Sequence, residues 1–426
     1  MVTEGDRITW VGPRAQAPAG RDEDLGDSIL VPGLVNAHTH LDLTMMRGGL
    51  EDLTFFDWVR TLTAAKRELL TAADFADAAM LGVAEGLSRG ITTFGDTSDS
   101  AASFDAMLAL GARGIAFREV FGPEAAQCTA SMATLERAVA ELRPRATARV
   151  RVGVSPHAPY SVSLTLFRAV AEYAARESLP VAVHIAESAA EEDLVRRGTG
   201  PFAAFLRSRG IPVGPREKGP IGLLGDAGLL RAGTLLIHCV RASDADVLGI
   251  ADAGCGVAHC PASNAKLGHG VAPLAEFLKA GARVGLGSDS MAANDTMDLL
   301  GEARLASLQQ RARRMQADLV PARAALRLAT LGGAEALRLD GEVGSLVPGK
   351  QADLAAFRID ALGAPAEDPH AALIFASNRA QVALVVVAGV ERVRDGVVAG
   401  FDAGIADRVR ASGARLAQWR RARAPV

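Results

Sequence analysis

Two histidines, His38 and His40 in VPGLVNAHTH, are the first residues along the chain whose types and spacing invite chemistry. Residues i and i+2 of an extended strand share a face. Both imidazoles can therefore grip one divalent ion, at about 2.0–2.1 Å. A hydrogen-bonded histidine pair without metal would carry the same spacing, so the weight comes from recurrence. His184 closes VAVHIAES, His238 closes TLLIHC and Asp289 closes RVGLGSD. Any one of these could be a satisfied core histidine, and Ser288-Asp289-Ser290 could simply cap the next helix. Polar residues repeated at the ends of apolar strands point instead to a metal centre held by His38, His40, His184 and Asp289.

Glu187 follows His184 by three residues and falls just past the strand, facing a substrate rather than the metal. A partly desolvated carboxylate there should have a raised pKa and carry protons between water and substrate. Glu191, Glu192 and Asp193 read as ordinary first-turn acids of a helix. His157, held between Pro156 and Ala158-Pro159 in a stiff segment, reads as a substrate contact, with local hydrogen bonding as the alternative. His269, in AHCPASNAKLGHG with His259, reads as structural. Cys239 and Cys260 adjoin histidines but alternate to the other face, which suits packing. The strand RVGVSPHAPY offers no lysine to bridge paired ions, so one ion is expected. Three imidazoles and one carboxylate leave room for a water whose pKa the metal lowers toward about 7. Asp289 can take its proton, His238 can hydrogen-bond its oxygen, and Glu187 can protonate a ring nitrogen and then the leaving group. That division of labour suits an aromatic C–NH₂ or amidine carbon. Amide hydrolysis needs only a subset of these roles, and a ring C–Cl bond releases chloride without a proton.

Elements able to hold such a set are legible around it. Apolar strands alternate with helical patterns, which is α/β construction. The strands are expected at Ile29–Val35, Ile91–Phe94, Gly114–Glu119, Arg151–Ser155, Val181–His184, Thr234–His238, Gly256–His259 and Arg283–Leu286. Helices are expected at Phe75–Arg89, Leu164–Arg176, Ala272–Ala280 and Met297–Arg311. Eight strands fit an (α/β)₈ TIM barrel over 31–340, whose strand ends share one mouth. A doubly wound sheet would carry a glycine-rich phosphate loop after its first strand, where this chain has His-Thr-His. Residues 1–30, with a short strand at Arg7–Val11, and 341–400, with GEVGSLVPGK, ADLAAF and QVALVVVAGVERVRDG, should combine into a small β-sandwich domain. Residues 401–426 form a C-terminal helical segment, its amphipathic part running Ile405–Arg423.

Composition removes other classes. A formal net charge of -3 speaks against a nucleic-acid partner, and 4% aromatic residues against a base-stacking platform. The four cysteines include no C-x-x-C pair and suggest reduced thiols rather than a disulfide framework. MVTEGDRITWVG lacks the pattern of a secretory leader, and the apolar stretches are too short and broken to span a membrane. A cytoplasmic location is the expectation.

The motifs PGLVNAHTHLDLTMMRGG, SPHAPYS, VHIAES, LIHC, VAHCPASNAKLGHG, GLGSDSMAANDTMDL, ATLGGAEAL and GSLVPGKQADLAAF together resemble the amidohydrolase superfamily, in its cytosine deaminase-like and chlorohydrolase-like branch. The resemblance runs from about residue 3 to residue 400. It implies the barrel with a small β-sandwich from both termini, and one zinc or iron ion on His38, His40, His184 and Asp289. It also implies Glu187 as proton shuttle, His238 as the partner of the attacking water, and His157 as a substrate contact. Arg118 would touch an anionic or ribose part of the substrate, with surface pairing as the alternative. PFAAFLRSRGIP, FFDWVR and SNAKLGHG are most similar to aminodeoxyfutalosine deaminases, so the implied substrate is a small aminated heterocycle such as a purine base or nucleoside. FFDWVR and the loop after Glu187 could supply a lid or the surface of a homodimer. One departure stands out: the usual amino-terminal strand before GDRITWVG is expected to be missing.

Overall fold

A computed structural model describes residues 1–359, 367–376 and 380–423. The remainder of the expected sandwich segment (360–366 and 377–379) and the end of the helical segment (424–426) lie outside the described residues. The chain opens with a two-stranded antiparallel ribbon, β1 (Val2–Glu4) and β2 (Arg7–Trp10). The strand expected to be missing is therefore present, only three residues long. Next come β3 (Ser28–Pro32) and the barrel strands β4 (Leu34–His40), β5 (Ile91–Ser98), β6 (Arg113–Val120), β7 (Val150–Pro156), β8 (Val181–Ile185), β9 (Thr234–His238), β10 (Gly256–His259), β11 (Arg283–Leu286) and β12 (Asp289–Ser290). The last are β13 (Leu354–Ile359), β14 (Ala380–Val387), β15 (Val390–Arg394) and β16 (Val397–Val398).

Strands β4 to β12 form one parallel sheet in the order β11-β10-β9-β8-β7-β6-β5-β4-β12. β11 and β12 are one chain path interrupted only by Gly287-Ser288. That path pairs with β10 on one side and, through Asp289 and Ser290, with β4 on the other. The sheet thus closes on itself as a barrel, with helices such as Ala72–Ser88 and Leu164–Glu177 in the connections. Alternate strand residues divide cleanly, as the pleat requires. Val35, Ala37, Ile115, Phe117, Ala182, Leu235, Ile237 and Ala258 cluster in the interior, while Leu34, Ala116, Val152, Val154, Val183 and Leu236 pack outward among the helices.

The expected strand Ile29–Val35 is in fact two strands in two sheets. β3 pairs antiparallel with β13 in the five-stranded sheet β16-β15-β14-β13-β3, and β4 starts the barrel. Gly33 makes the transfer possible: a Cβ there would lie 2.2 Å from Thr92 Oγ1. GEVGSLVPGK, expected to contribute strand, is turn instead, and its end is tied down by the bridge Arg7↔Gln351. Arg113 of β6 locks barrel to outer sheet. It is almost fully buried and donates to both carboxylate oxygens of Asp353, at 2.8 and 3.1 Å. The terminal helix Gly404–Arg421 lies on helix Ala72–Ser88, where Ser412 and Arg415 both bond Asp74. Among the described residues no helix is long and apolar enough to cross a membrane.

Candidate metal centre and active site

A β-bulge decides where the first two histidines point. Between Asn36 and Thr39, β4 advances three residues while β5 advances two, Phe94 to Asp96. Val35 and Ala37 already face inward, so without the extra residue His38 and His40 would face the helices. The bulge reverses that parity. His38 is fully buried, and neither of its ring nitrogens has a hydrogen-bond partner among the described residues. Its Nε2 lies 3.5 Å from Asp289 Oδ1. His40 Nε2 lies 3.3 Å from His184 Nε2 and 3.7 Å from Asp289 Oδ1. Burial lowers the pKa of His38, and lowers those of His40 and His184 well below the ordinary imidazole value, keeping the rings neutral with lone pairs free. His184 Nδ1 donates to the His157 carbonyl at 3.2 Å, which leaves its Nε2 as the lone-pair nitrogen. Neutral imidazoles and a carboxylate converging around an unpaired buried histidine are a donor set that fits a divalent cation.

Asp289 is not the cap of the following helix. Ser290 takes that place, accepting from Ala293 N at 3.2 Å, and Asp289 is free to point inward with φ at 56°. Its carboxylate accepts from Ser290 N at 2.6 Å and from the Ser263 hydroxyl. Burial alone would raise its pKa, but the facing imidazoles of His38, His238 and His40 hold it well below the usual carboxylate range. His238 also owes its direction to a left-handed residue. Leu235 and Ile237 face the interior, so regular alternation would turn His238 away; φ of 73° ends the strand and swings it back. Its Nδ1 donates to Asn264 Oδ1 at 3.0 Å. The free Nε2 lies 3.6 Å from Glu187 Oε1 and 3.9 Å from Asp289 Oδ2.

Glu187 is buried beside these groups, but its pKa is lowered, not raised as desolvation alone would have it. Burial does push upward, and the contacts from His238 and His269 outweigh it. His269 is thus no remote structural residue: its Nε2 lies 3.3 Å from Glu187 Oε1. Glu191 also departs from the expectation of an ordinary first-turn acid. It is fully buried, its two oxygens each accept a 2.8 Å bond from Ala186 N and Glu187 N, and burial pushes its pKa up to about 8. Ser263, Asn264 and His269 come from one short segment following β10 and touch Asp289, His238 and Glu187 in turn. Sequence reading missed all three; the signal available was their shared segment with His259. That histidine is itself buried, with neither nitrogen paired among the described residues, and burial drives its pKa down to about 3.

His157 sits at the end of β7 with its ring 4.8 Å from that of His184 and 5.0 Å from Phe121, while Nδ1 meets Ser161 Oγ at 2.7 Å. Over the neighbouring rim, Phe55 of helix Phe55–Glu68 packs edge-on to His269, Tyr160 and Phe202. Phe55, Phe121, Tyr160 and Phe202 thus stand beside the histidines of the mouth. Arg118, expected as a substrate contact with pairing as the alternative, makes contacts within the protein. It alternates away from Phe117 and bonds the carbonyls of Asp99, at 2.7 Å, and Ser100.

A closed parallel barrel whose strand ends carry histidines and an aspartate is the architecture of metal-dependent hydrolases. The chain belongs to the amidohydrolase family, whose pattern it matches over residues 29–392. It is 34% identical over 396 residues to a 5-methylthioadenosine/S-adenosylhomocysteine deaminase of Pelotomaculum thermopropionicum, covering 91% of this chain and 87% of that one. The Moorella thermoacetica enzyme of the same name is 32% identical over 416 residues, with 95% and 91% covered. Among solved structures it resembles a zinc-bound adenosine deaminase of Xanthomonas campestris, with TM-score 0.81, 28% identity and coverage of 92% and 87%. A zinc complex of atrazine chlorohydrolase from Arthrobacter aurescens gives TM-score 0.80 at 25% identity, with 98% and 94% covered.

Proposed function

We propose that this protein is a metal-dependent aminohydrolase that removes the amino group of a purine nucleoside, releasing ammonia. His38, His40, His184 and Asp289 would hold a single divalent ion, zinc by the precedent of the zinc-bound relatives. The observation that carries the reading is His38: fully buried, without a hydrogen-bond partner at either nitrogen among the described residues, and 3.5 Å from a carboxylate that other imidazoles also face. An ion in that set would supply Lewis-acid activation of water at neutral pH.

The protein's own residues do the rest. Asp289, kept anionic, accepts a proton from the attacking water. His238 Nε2, its opposite nitrogen held by Asn264, hydrogen-bonds that water and orients it. Glu187 stands 3.6 Å from the same imidazole. Both protons come from the attacking water: Glu187, anionic at rest, takes one and passes it to the ring nitrogen beside the aminated carbon, which makes that carbon electrophilic, and the one taken by Asp289 reaches the departing amine through Glu187. His157, its ring 4.8 Å from that of His184, would meet the heterocycle.

Ammonia release from adenosine, 5-methylthioadenosine, S-adenosylhomocysteine, aminodeoxyfutalosine, guanine and a pterin, using zinc-reconstituted protein, tests the reading. A metal-dependent turnover well above the rest for one of the nucleosides is the expected result. Silence across the panel with metal bound would overturn it, and chloride release from a chlorinated triazine would identify halide hydrolysis instead.

A further inference from the structure

Strands β6 and β7 bring to the mouth two polar groups that the reaction above does not use. Ile115 and Phe117 belong to the interior cluster, so Glu119, two residues further on, faces the same lumen at its open end. Its register partner on β7 is Ser155, which shares the inward parity of His157. Glu119 Oε1 and Ser155 Oγ are both shielded from solvent, and neither has a hydrogen-bond partner among the described residues. A Glu119 oxygen and nitrogens of His157 and His184 all lie within 4.8 Å of one another. The unpaired groups therefore stand beside the reaction centre.

Buried acceptors left unmade are costly and rare, so a missing partner is indicated. The two nearest cations are engaged elsewhere: Lys66 Nζ is 2.8 Å from Asp99, and Arg118 bonds the carbonyls of Asp99 and Ser100. A second metal ion fits poorly, because His184 has one lone-pair nitrogen, Nε2, and that nitrogen faces His40 in the first site, which leaves only His157 and Glu119 for another ion. What remains is a donor on the substrate. An adenine nucleoside has hydrogen-bond donors in two places only, the amino group and the sugar hydroxyls. The amino group is the one that leaves, next to Glu187.

We propose that Glu119, with Ser155 beside it, is a specificity-determining residue that accepts hydrogen bonds from the sugar hydroxyls of a ribonucleoside substrate. The proposal rests on the nucleoside deaminase reading and deepens it. Burial pushes the pKa of Glu119 up to about 8, and vicinal hydroxyls donating to its two oxygens favour the charged form; a site built around such donors rejects an analogue that lacks one.

The test compares kcat/KM for adenosine, 2′-deoxyadenosine and 3′-deoxyadenosine in the zinc-loaded wild type, Glu119→Gln and Ser155→Ala. The wild type should prefer adenosine over at least one deoxynucleoside by about 10- to 100-fold, the worth of a hydrogen bond to a charged group. Glu119→Gln should shrink that ratio about tenfold, and Ser155→Ala about threefold. Each ratio is taken on a single preparation, so partial loss of folded protein cancels, and Ser155→Ala keeps the test alive if the glutamate variant does not fold. A wild-type ratio near one, or a ratio unchanged in both variants, overturns the proposal. No turnover of any nucleoside by the wild type overturns the functional reading beneath it, and that failure is visible before any variant is made.

Discussion

On the β8 to β12 side of the mouth, Glu187, His238 and Asp289 are each held by other residues of the protein. On the β6 and β7 side, two inward-facing polar groups have no hydrogen-bond partner among the described residues. Asn264 fixes His238, Ser263 and Ser290 fix Asp289, and Glu191 pins the backbone at Glu187 while His269 meets its carboxylate. Among the described residues Glu119 Oε1 and Ser155 Oγ lack any such partner. The contrast fits the roles proposed for the two sides. Groups that move protons gain from being oriented before substrate arrives, and groups that select a substrate must keep a hydrogen bond open for it.

The contrast can be broken first at the metal. His38→Ala, or treatment of the wild type with a chelator, should reduce ammonia release to background; zinc should restore the chelated wild type and not the variant, with bound metal measured by elemental analysis. Glu187→Gln should retain its metal and lose about 10²- to 10⁴-fold in kcat, the usual worth of a positioned acid–base group. A variant with normal turnover would remove Glu187 from the mechanism.

Ser263→Ala should weaken zinc binding by about 10- to 100-fold, since it removes the hydroxyl that steadies a ligand carboxylate; competition with a chromophoric chelator reads this directly. His269→Ala should lower kcat about fivefold, the order of one close polar contact to Glu187, and leave metal content alone. Loss of metal in that variant would mean that His269 supports the fold rather than Glu187.

The smallest expected effect is on stability, and it has opposite signs on the two sides. Removing an unpaired buried hydroxyl with Ser155→Ala should raise the unfolding free energy, by about 1 kcal/mol, whereas Ser263→Ala should lower it by a similar amount. Denaturant melts of the metal-free proteins would show this. If both variants lost stability equally, Ser155 would have a partner within the protein and the asymmetry would fail.

Most of the barrel was legible because its strands are short apolar runs between helices of clear period. Thr234–His238, Gly256–His259 and Arg283–Leu286 fall where periodicity sets them, and the other barrel strands after β4 extend the expected ranges by one to four residues at an end. Ile29–Val35 misled because an apolar run does not say which sheet receives it; Gly33 divides it between two. The short β1 escaped because three residues carry no period. In the site, His38, His40, His184, His238, Asp289 and Glu187 stand out because they end strands, and the structure gathers them within a few ångströms of one another.

Residue types and spacing thus determined the barrel, the metal-binding character of its mouth and the class of chemistry, since these depend on local periodicity and on which side chains can ligate. Direction was decided by tertiary structure alone. The bulge in β4 turned His38 and His40 inward, positive φ did so for His238 and Asp289, and strand parity put Glu119 rather than Arg118 on the lumen wall. Charge state was decided there as well. Glu187 and Glu191 are four residues apart and both buried, yet one is held low by facing histidines and the other is pushed up to about 8. The physical reason is the same throughout: a side chain's aim and its pKa are set by neighbours distant in sequence, which only the closed barrel brings together.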